Sequence, residues 1–291
     1  MRKIFAAAPL AMLGIAGGCS SGGPSRECST NTTEALNVCA TGPVTKGLDV
    51  SYYQGTVDFA RVKAAGTVFV ITRVSDGVRV QDAKFTENWP GIKAAGLIRG
   101  VYQFFRPAQD PIAQADLLLS KIGTLAPDDL PPVLDVEAVD GQTPATIQAN
   151  MKIWLDRVEQ SVRRKPMIYT AAFMSASVGT AFAAYPLWVA NYGVTCPKMP
   201  STWMAWQFWQ TSNKGAIPGI AGDVDLDVFN GTLADLLKFA NSGTPSLDAG
   251  TPSLDAGTPP PPLPSDGGNG ASMGEGQTPA PVASGGEAPC R

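Results

Sequence analysis

Eight short apolar segments constrain the fold of this chain more than any other feature of its sequence. They are rich in Val, Ile, Phe and Tyr, which favour β-strands, and both faces are apolar, as in parallel strands covered by helices. Stretches with helical character lie between several of them, over residues 59–65, 84–95, 112–122 and 144–164. The segments are VTKGLDVS (44–51), TVFVITRVS (67–75), IRGVYQFFRP (98–107), PPVLDVEA (131–138), KPMIYT (165–170), PLWVANY (186–192), WMAWQFWQT (203–211) and DVDLDVFN (223–230).

The repeated order of strand and helix predicts a parallel sheet, and eight strands in one domain predict that the sheet closes on itself. We therefore expect an α/β fold: a single (β/α)8-like barrel over residues 43–240, irregular because some helices are missing. The alternative is an open, doubly wound sheet, which normally carries a glycine-rich phosphate-binding turn after its first strand. The sequence GLDVSYYQG (47–55) lacks that pattern, so the barrel is favoured.

Residues 1–19 have the composition of an export signal, with a basic start, a short apolar run and small residues at the end. The last four, Ala16-Gly17-Gly18-Cys19, resemble a bacterial lipoprotein box. We expect export followed by lipidation of Cys19, which predicts an outer-membrane or cell-surface lipoprotein. The alternative is cleavage without lipidation and a secreted or periplasmic protein.

Two segments of low complexity flank the barrel. Residues 20–42 are small and polar, which predicts a flexible tether. Residues 241–291 contain the unit TPSLDAG twice, then a proline run and further Gly, Ser and Pro. Such a composition buries too little apolar surface to offset the entropy of ordering, so we expect a disordered tail.

The composition excludes several kinds of chemistry. The 291 residues contain no His, so Ser–His–Asp triads, Cys–His pairs and the usual His-containing zinc sites cannot form. Acid–base chemistry must then fall to carboxylates, and we expect no metal and no cofactor. The formal charge is -3 and no basic stripe gathers the Lys and Arg residues, which argues against a nucleic-acid partner.

Five cysteines are present, and lipidation of Cys19 would leave an even number in a compartment that permits disulfides. Cys28, Cys39, Cys196 and Cys290 allow three connectivities. The most local pairing joins Cys28 to Cys39.

Polar residues follow the predicted strands at their carboxyl ends, where a β/α barrel carries its reacting groups. Asp135 and Glu137 are two positions apart, so they share a face of the fourth strand with α-carbons ~6.5–7 Å apart. This spacing fits a pair of glycosidase carboxylates without choosing between retention and inversion. Crowded, half-buried acids raise the pKa of at least one member, which then donates a proton near neutral pH. Calcium binding or loop capping by the acids is the alternative.

Further polar side chains complete the expected rim. By strand alternation, Trp203, Trp206 and Trp209 cannot all point into one pocket, and large aromatic residues are commonly part of the core. Tyrosines at strand ends offer a flat face and a hydroxyl to a sugar, or serve as core. The strand-end residues are Asp49, Tyr102, Gln103, Tyr169, Asn191, Tyr192, Trp209, Gln210 and Asp225.

The ordered series of motifs resembles the glycoside hydrolase family 25 lysozymes, the Chalaropsis-type N-acetylmuramidases. Gln103 stands where the family commonly has His, and Asp76 where it usually has Glu. The motifs are GLDVSYYQG (47–55), VITRVSDG (70–77), FTENWPGIKAAGLIRGVYQFFRP (85–107), PPVLDVEA (131–138), MIYT (167–170), LWVANYG (187–193), WQFWQTS (206–212) and DVDLDVFNG (223–231).

The resemblance implies a role for each acid. Glu137 matches the family's general acid, and Asp135 the neighbour that stabilises charge at the reacting carbon or orients the substrate's N-acetyl group. Asp49 and Asp225 match two further acids that line the cleft. The implied reaction is hydrolysis of the β-1,4 bond after N-acetylmuramic acid in peptidoglycan.

The expected partner is therefore the glycan strand of peptidoglycan, bound by a monomer whose membrane contact runs only through Cys19. Substrate binding is expected from Tyr102, Gln103, Tyr169, Asn191, Tyr192, Trp209 and Gln210. Two alternatives stay open: a chitinase-like N-acetylglucosaminidase, or a wall-binding module with weak or no catalysis.

Overall fold

Eight strands close into a barrel in the computed structural model, which describes residues 36–242. The expectations for residues 1–19, for Cys19, Cys28 and Cys290, and for nearly all of the tail lie outside the described residues. The strands are β1 (Thr45–Val50), β2 (Phe69–Asp76), β3 (Val80–Gln81), β4 (Ile98–Phe104), β5 (Val133–Asp135), β6 (Met167–Thr170), β7 (Leu187–Ala190), β8 (Phe208–Gly215) and β9 (Val224–Phe229). The helices are α1 (Phe59–Ala64), α2 (Phe85–Ala94), α3 (Pro111–Ile122), α4 (Pro144–Val162), α5 (Ser175–Val178) and α6 (Leu233–Asn241).

The barrel prediction is confirmed, with one correction to the direction of its strands. The order around the barrel is β1, β2, β4, β5, β6, β7, β8 and β9, and neighbours are parallel as far as β8. The last strand, β9, runs antiparallel to both β8 and β1. The cause is the connection over residues 216–223, which is too short for a crossover between parallel strands and forms a hairpin instead.

All four predicted helices are present, as α1 to α4, within two residues of the expected bounds. The side chain of Asp110 caps α3 and that of Thr143 caps α4, each followed by a proline in the first turn. These helices pack on the outside of the strands through Leu118, Trp154 and other apolar side chains. The short β3, α5 and α6 were not predicted.

The inside of the barrel is apolar in its lower half, away from the carboxyl ends of the parallel strands. Phe69, Phe208 and Phe229 belong to this inner cluster, and α6 covers it, with the Phe239 ring 5.6 Å from that of Phe208. Gly47 on β1 makes room for this packing, since a Cβ there would lie 2.3 Å from the ring of Phe69. The closed lower half leaves space for a cavity inside the barrel only at the upper end.

Residues 36–40 are docked on the barrel, although residues 20–42 were expected to form a flexible tether. A disulfide joins Cys39 to Cys196 in the connection between β7 and β8, so the expected local pairing of Cys28 with Cys39 is wrong. The Nε1 group of Trp206 donates to the carbonyl of Val38 at 2.7 Å, and Asn37 forms a bridge with Lys198. The two cysteines are 157 positions apart and meet only in the folded chain.

Across residues 36–242, no helix combines the length and apolar character that crossing a membrane requires.

Candidate active site

A cavity of about 500 Å³ opens at the end of the barrel where the parallel strands have their carboxyl ends. All four predicted catalytic acids line it, together with four of the seven predicted binding residues. The predicted residues that line the cavity are Asp49, Tyr102, Asp135, Glu137, Tyr169, Tyr192, Gln210 and Asp225.

The pairing of β1 with β9 places two of the acids side by side. Asp49 lies directly opposite Asp225 in the antiparallel register, and opposite residues of such a pair project from the same face. Asp225 lies near the amino end of β9, not at the end of a parallel strand as expected. It reaches the cavity because β9 runs in the opposite direction, which brings its amino end to the same rim.

Gln210 on β8 connects this pair of strands to the tyrosines. Its Nε2 group donates to Asp49 Oδ2 at 2.5 Å. Its Oε1 atom accepts from the hydroxyls of Tyr169 at 2.7 Å and Tyr192 at 2.5 Å. The two hydroxyls fix the orientation of the amide, and the amide in turn fixes the carboxyl of Asp49.

Asp135 ends β5, and the backbone stays extended long enough to bring Glu137 to the cavity. The amide of Val136 donates to the carbonyl of Tyr169 at 2.8 Å, which continues the pairing with β6. Asp135 is 3% exposed, whereas Glu137 is exposed at the mouth. The pair therefore offers one buried and one accessible carboxyl.

Arg106 holds the segment that follows Glu137. Its guanidinium donates to both oxygens of Asp76 at the end of β2, at 2.5 and 2.9 Å, and to Asp140 at 3.1 Å. Asp140 has a positive φ of 46°, a conformation that costs a non-glycine residue about 1 kcal/mol or more. The ion pairs tie this turn to the ends of β2 and β4 and so define the position of Glu137.

Burial gives the acids of this site their unusual proton affinity. It raises the pKa of Asp49 well above the usual value, and the nearby Asp225 and Asp227 raise it further. Burial, then the charge of Glu137, raises the pKa of Asp225 to about 6. The raised pKa values thus lie at Asp49 and Asp225, and the prediction for the pair Asp135 and Glu137 stays a prediction.

The tyrosines that line the cavity stay protonated throughout the physiological range. Burial is the main cause of the raised pKa of Tyr102, Tyr169 and Tyr192, and the neighbouring acids add to it. Their hydroxyls therefore act as hydrogen-bond donors and not as bases.

Three of the predicted binding residues lie outside the cavity. Gln103 follows Tyr102 on β4 and so points to the outer face, where its Nε2 donates to Ser75 at 2.8 Å and its Oε1 accepts from Trp154 at 2.7 Å. Trp209 occupies the outer face of β8 for the same reason and donates to the carbonyl of Asn191 at 2.8 Å. The expectation that Gln103 and Trp209 contact substrate is corrected accordingly.

Asn191 is the third residue outside the cavity. It follows the end of β7, and its side-chain oxygen accepts from the amide of Lys198 at 2.8 Å. It shapes the connection between β7 and β8 and does not line the cavity.

Several residues of the site were missed from the sequence. Asp227 lies two positions beyond Asp225 on β9 and is 2% exposed. Arg73 on β2 lines the cavity, pairs with Asp82 at 2.9 Å and lies 4.9 Å from the centroid of the Tyr52 ring. Strand alternation was the available signal for both, since each shares a face with inward residues of its strand.

The arrangement suits acid catalysis on a neutral, oxygen-linked substrate. It combines an accessible carboxyl, buried acids with raised pKa values, and hydroxyl and amide groups around an open cavity. Among residues 36–242, no three Asp, Glu, Cys or His side chains are placed to hold a metal ion.

Comparisons with known proteins agree with this geometry. A sequence model of glycosyl hydrolases family 25 matches residues 48–220. Lysozyme M1 of Streptomyces globisporus is 36% identical over 210 residues, which cover 68% of this chain and 71% of that protein. The N,O-diacetylmuramidase of Chalaropsis sp. is 32% identical over 213 residues, which cover 67% of this chain and 98% of that protein.

A solved structure has the same fold. The bacterial lysozyme from Streptomyces coelicolor superposes with a TM-score of 0.64 at 35% identity, covering 68% of this chain and 97% of that one.

Proposed function

The chain belongs to glycosyl hydrolases family 25, and we propose that it is a muramidase that hydrolyses the β-1,4 bond between N-acetylmuramic acid and N-acetylglucosamine in peptidoglycan. It is a glycoside hydrolase by family, and its relatives are named lysozyme and N,O-diacetylmuramidase. One observation carries the assignment of the site: four acids from three separate strands converge on one cavity. They are Asp49 from β1, Asp135 and Glu137 from the end of β5, and Asp225 from β9.

Glu137 is the general acid in this proposal. It stands at the mouth, where the glycosidic oxygen of a bound polymer can reach it, and it is the most accessible of the four acids. Burial, and then the charge of the nearby Glu137, raises the pKa of Asp225 to about 6. Two carboxyls in such proximity repel when both are ionised, so the pair retains a proton close to neutral pH. Transfer of that proton to the leaving oxygen breaks its bond to the anomeric carbon, and a water molecule that returns a proton to the carboxylate supplies the new hydroxyl at that carbon.

Asp135 supports the reacting carbon. Its carboxyl is buried on the same side of β5 as Glu137, and a negative charge there stabilises the positive charge that develops at the anomeric carbon. The same position suits an acceptor that orients the N-acetyl group of the substrate.

The inward polar residues hold the sugar. Tyr102, Tyr169 and Tyr192 border the cavity, and Trp188 adds an aromatic face with its ring 4.7 Å from that of Tyr169. Aromatic faces and hydroxyls together match a sugar, which has apolar ring faces and polar edges. Gln210 completes this set through its bond to Asp49.

The reducing end of the product tests the proposed function. Purified peptidoglycan would be digested with the wild-type protein, reduced with borohydride and analysed by mass spectrometry. Reduced muramic acid at the new ends is the expected result. Reduced glucosamine would indicate an N-acetylglucosaminidase, and binding to peptidoglycan without new ends would indicate a wall-binding module.

We also propose that the protein is exported and anchored through a lipid on Cys19. The support is the sequence of residues 1–19, and a substrate in the cell wall is consistent with export. Expression in a bacterium with a radiolabelled fatty acid tests this: the wild-type protein is expected to carry the label and sediment with membranes, and Cys19→Ser to do neither. Labelled Cys19→Ser would contradict the assignment. We propose a monomer as well, to be checked by light scattering.

A further inference from the structure

Asp227 is a fully buried acid that the proposed mechanism does not use. It lies on β9 two residues below Asp225, ~6.5–7 Å deeper into the barrel by the rise of a strand, and faces inward like Asp225. Its partner in register on β1 is Gly47, which has no side chain, and on β8 it is Gln210. Asp227 therefore lies beneath the carboxyl of Asp49.

Few donors are available to an ionised Asp227. The Nε1 group of Trp188 donates to Oδ1 at 2.9 Å. The other oxygen, Oδ2, is buried and receives no hydrogen bond from an amide, hydroxyl or cation of the described residues. An ionised carboxylate with one donor is unfavourable in such a place, and the neighbouring group that can supply a proton is the carboxyl of Asp49.

From this geometry we propose that Asp227 is a positioning residue that shares one proton with Asp49 and thereby holds the Asp49 carboxyl in place at the floor of the cavity near neutral pH. The inference rests on the proposed muramidase function and deepens it. The shared proton holds one oxygen of Asp49, while Gln210 donates to the other. Loss of the shared proton at higher pH leaves two facing carboxylates that repel each other, which displaces Asp49.

The electrostatics around the pair agree with a retained proton. Burial raises the pKa of both acids well above the usual value, and the hydrogen bond between them links their titrations. Arg73 is a cation on the wall of the cavity, but its charge is compensated by Asp82. The other titratable or charged groups that line the cavity around the pair are Tyr53 after β1, Arg73 on β2, Tyr102 on β4, Asp135 and Glu137 from β5, Tyr169 on β6, Tyr192 after β7, Lys214 on β8, Asp223 before β9 and Asp225 on β9.

The variant Asp227→Asn separates a shared proton from a merely structural role. Asn keeps an oxygen for Trp188 and a similar shape, but it adds a permanent N–H donor towards Asp49 and has no proton to share. Carbon-13 NMR of protein labelled at the aspartate carboxyls would follow Asp49, whose signal is identified by its loss in Asp49→Asn. We expect the titration midpoint of Asp49 to fall by about one pH unit or more in Asp227→Asn.

The pH dependence of kcat/KM on peptidoglycan is the second measurement. We expect its alkaline limb to move to higher pH in Asp227→Asn, because the permanent N–H donor of Asn holds Asp49 after that acid ionises. An unchanged midpoint would overturn the shared proton, because a residue that only accepts from Trp188 is replaced by Asn without effect on Asp49. A lower midpoint with an unchanged limb would overturn the positioning role.

The test of the shared proton depends neither on the proposed muramidase function nor on the folding of Asp227→Asn. The NMR titration needs no substrate, so it stands even if the wild-type protein releases no reducing muramic acid, an outcome that would defeat only the proposed function. If Asp227→Asn does not fold, the wild-type protein alone decides: the Asp49 and Asp227 signals are expected to follow the same two transitions. A single transition of Asp49 near pH 4 would contradict the proposal.

Discussion

Asp49 on β1 lies directly opposite Asp225 on β9, in the antiparallel pairing that closes the barrel. This register brings two carboxyls to one face at the rim, and the hairpin that reverses β9 is what makes it possible. Both residues carry a raised pKa, chiefly because they are buried. Above these pKa values the buried acids are ionised, which lowers the stability of the folded state.

Because an ionised Asp225 is unfavourable in its buried position, we predict that Asp225→Asn stabilises the protein at alkaline pH. The pKa of Asp225 is about 6 in the folded state and about 3.8 when unfolded. Because the folded state binds this proton more tightly than the unfolded state, Asp225 favours folding at pH values below its unfolded pKa. This contribution to the stability is lost as the pH rises through the folded pKa of about 6. We expect a gain of about 1–3 kcal/mol in the free energy of unfolding at pH 8, and a much smaller difference below pH 4.

Urea unfolding of the wild-type protein and Asp225→Asn at the two pH values measures this. The exposed Asp156→Asn on α4 is the matched control, where a surface change is expected to stay within about 0.5 kcal/mol. Equal stability of Asp225→Asn and the wild-type protein at pH 8 would count against the burial of a charged Asp225.

The disulfide between Cys39 and Cys196 is expected to stabilise the barrel, because it closes a very long loop. Cys39→Ser should lower the free energy of unfolding by about 2–5 kcal/mol under oxidising conditions. Thermal unfolding with and without a reducing agent checks this. The reductant should lower the melting temperature of the wild-type protein and leave that of Cys39→Ser unchanged, and a wild-type protein that is insensitive to reduction would show that the bond contributes nothing.

Gln103 is expected to matter for stability and not for turnover. Gln103→Leu leaves the buried Nε1 group of Trp154 without its acceptor, which should lower the free energy of unfolding by about 1–3 kcal/mol. Both kcat and KM should stay close to the wild-type values, since the side chain lies behind β4. Gln160→Leu on the exposed face of α4 is the control, and a strong loss of activity with normal stability in Gln103→Leu would place Gln103 in the site after all.

Gln210, in contrast to Gln103, is expected to matter for turnover. Gln210→Leu removes the donor to Asp49 and the acceptor for Tyr169 and Tyr192. We expect kcat/KM to fall by about tenfold to a hundredfold, as for a lost hydrogen bond to an acidic group. Steady-state kinetics on soluble glycan fragments measure this, and activity equal to that of Gln103→Leu would contradict the role of Gln210 in orienting Asp49.

The sequence predicts the eight barrel strands, four helices and the four acids of the cavity, because each depends on a local pattern. The direction of β9 depends on the length of the connection before it, a feature that the apolar pattern of the strand does not contain. The disulfide between Cys39 and Cys196 likewise cannot be predicted from a local pattern, because only the folded barrel brings these two residues together.

The errors at Gln103 and Trp209 have one cause. Both faces of a barrel strand are apolar, so the sequence does not say which parity points inward, and two neighbours at a strand end are equally good candidates for the cavity. The known position of Tyr102 or Gln210 would have corrected this, as alternate residues face opposite ways. The same reasoning, carried two residues beyond Asp225, leads to Asp227.

The role of Glu137 as proton donor is the central claim, and the variant Glu137→Gln tests it most directly when two leaving groups are compared. On peptidoglycan, whose leaving oxygen needs protonation, we expect kcat to fall by roughly 10²–10⁴-fold with binding retained. On an aryl glycoside with an acidic phenol, which leaves without protonation, the loss should be much smaller, and the exposed Glu87→Gln on α2 should match the wild-type protein on both. Wild-type rates in Glu137→Gln, or equal losses on the two substrates, would contradict the account.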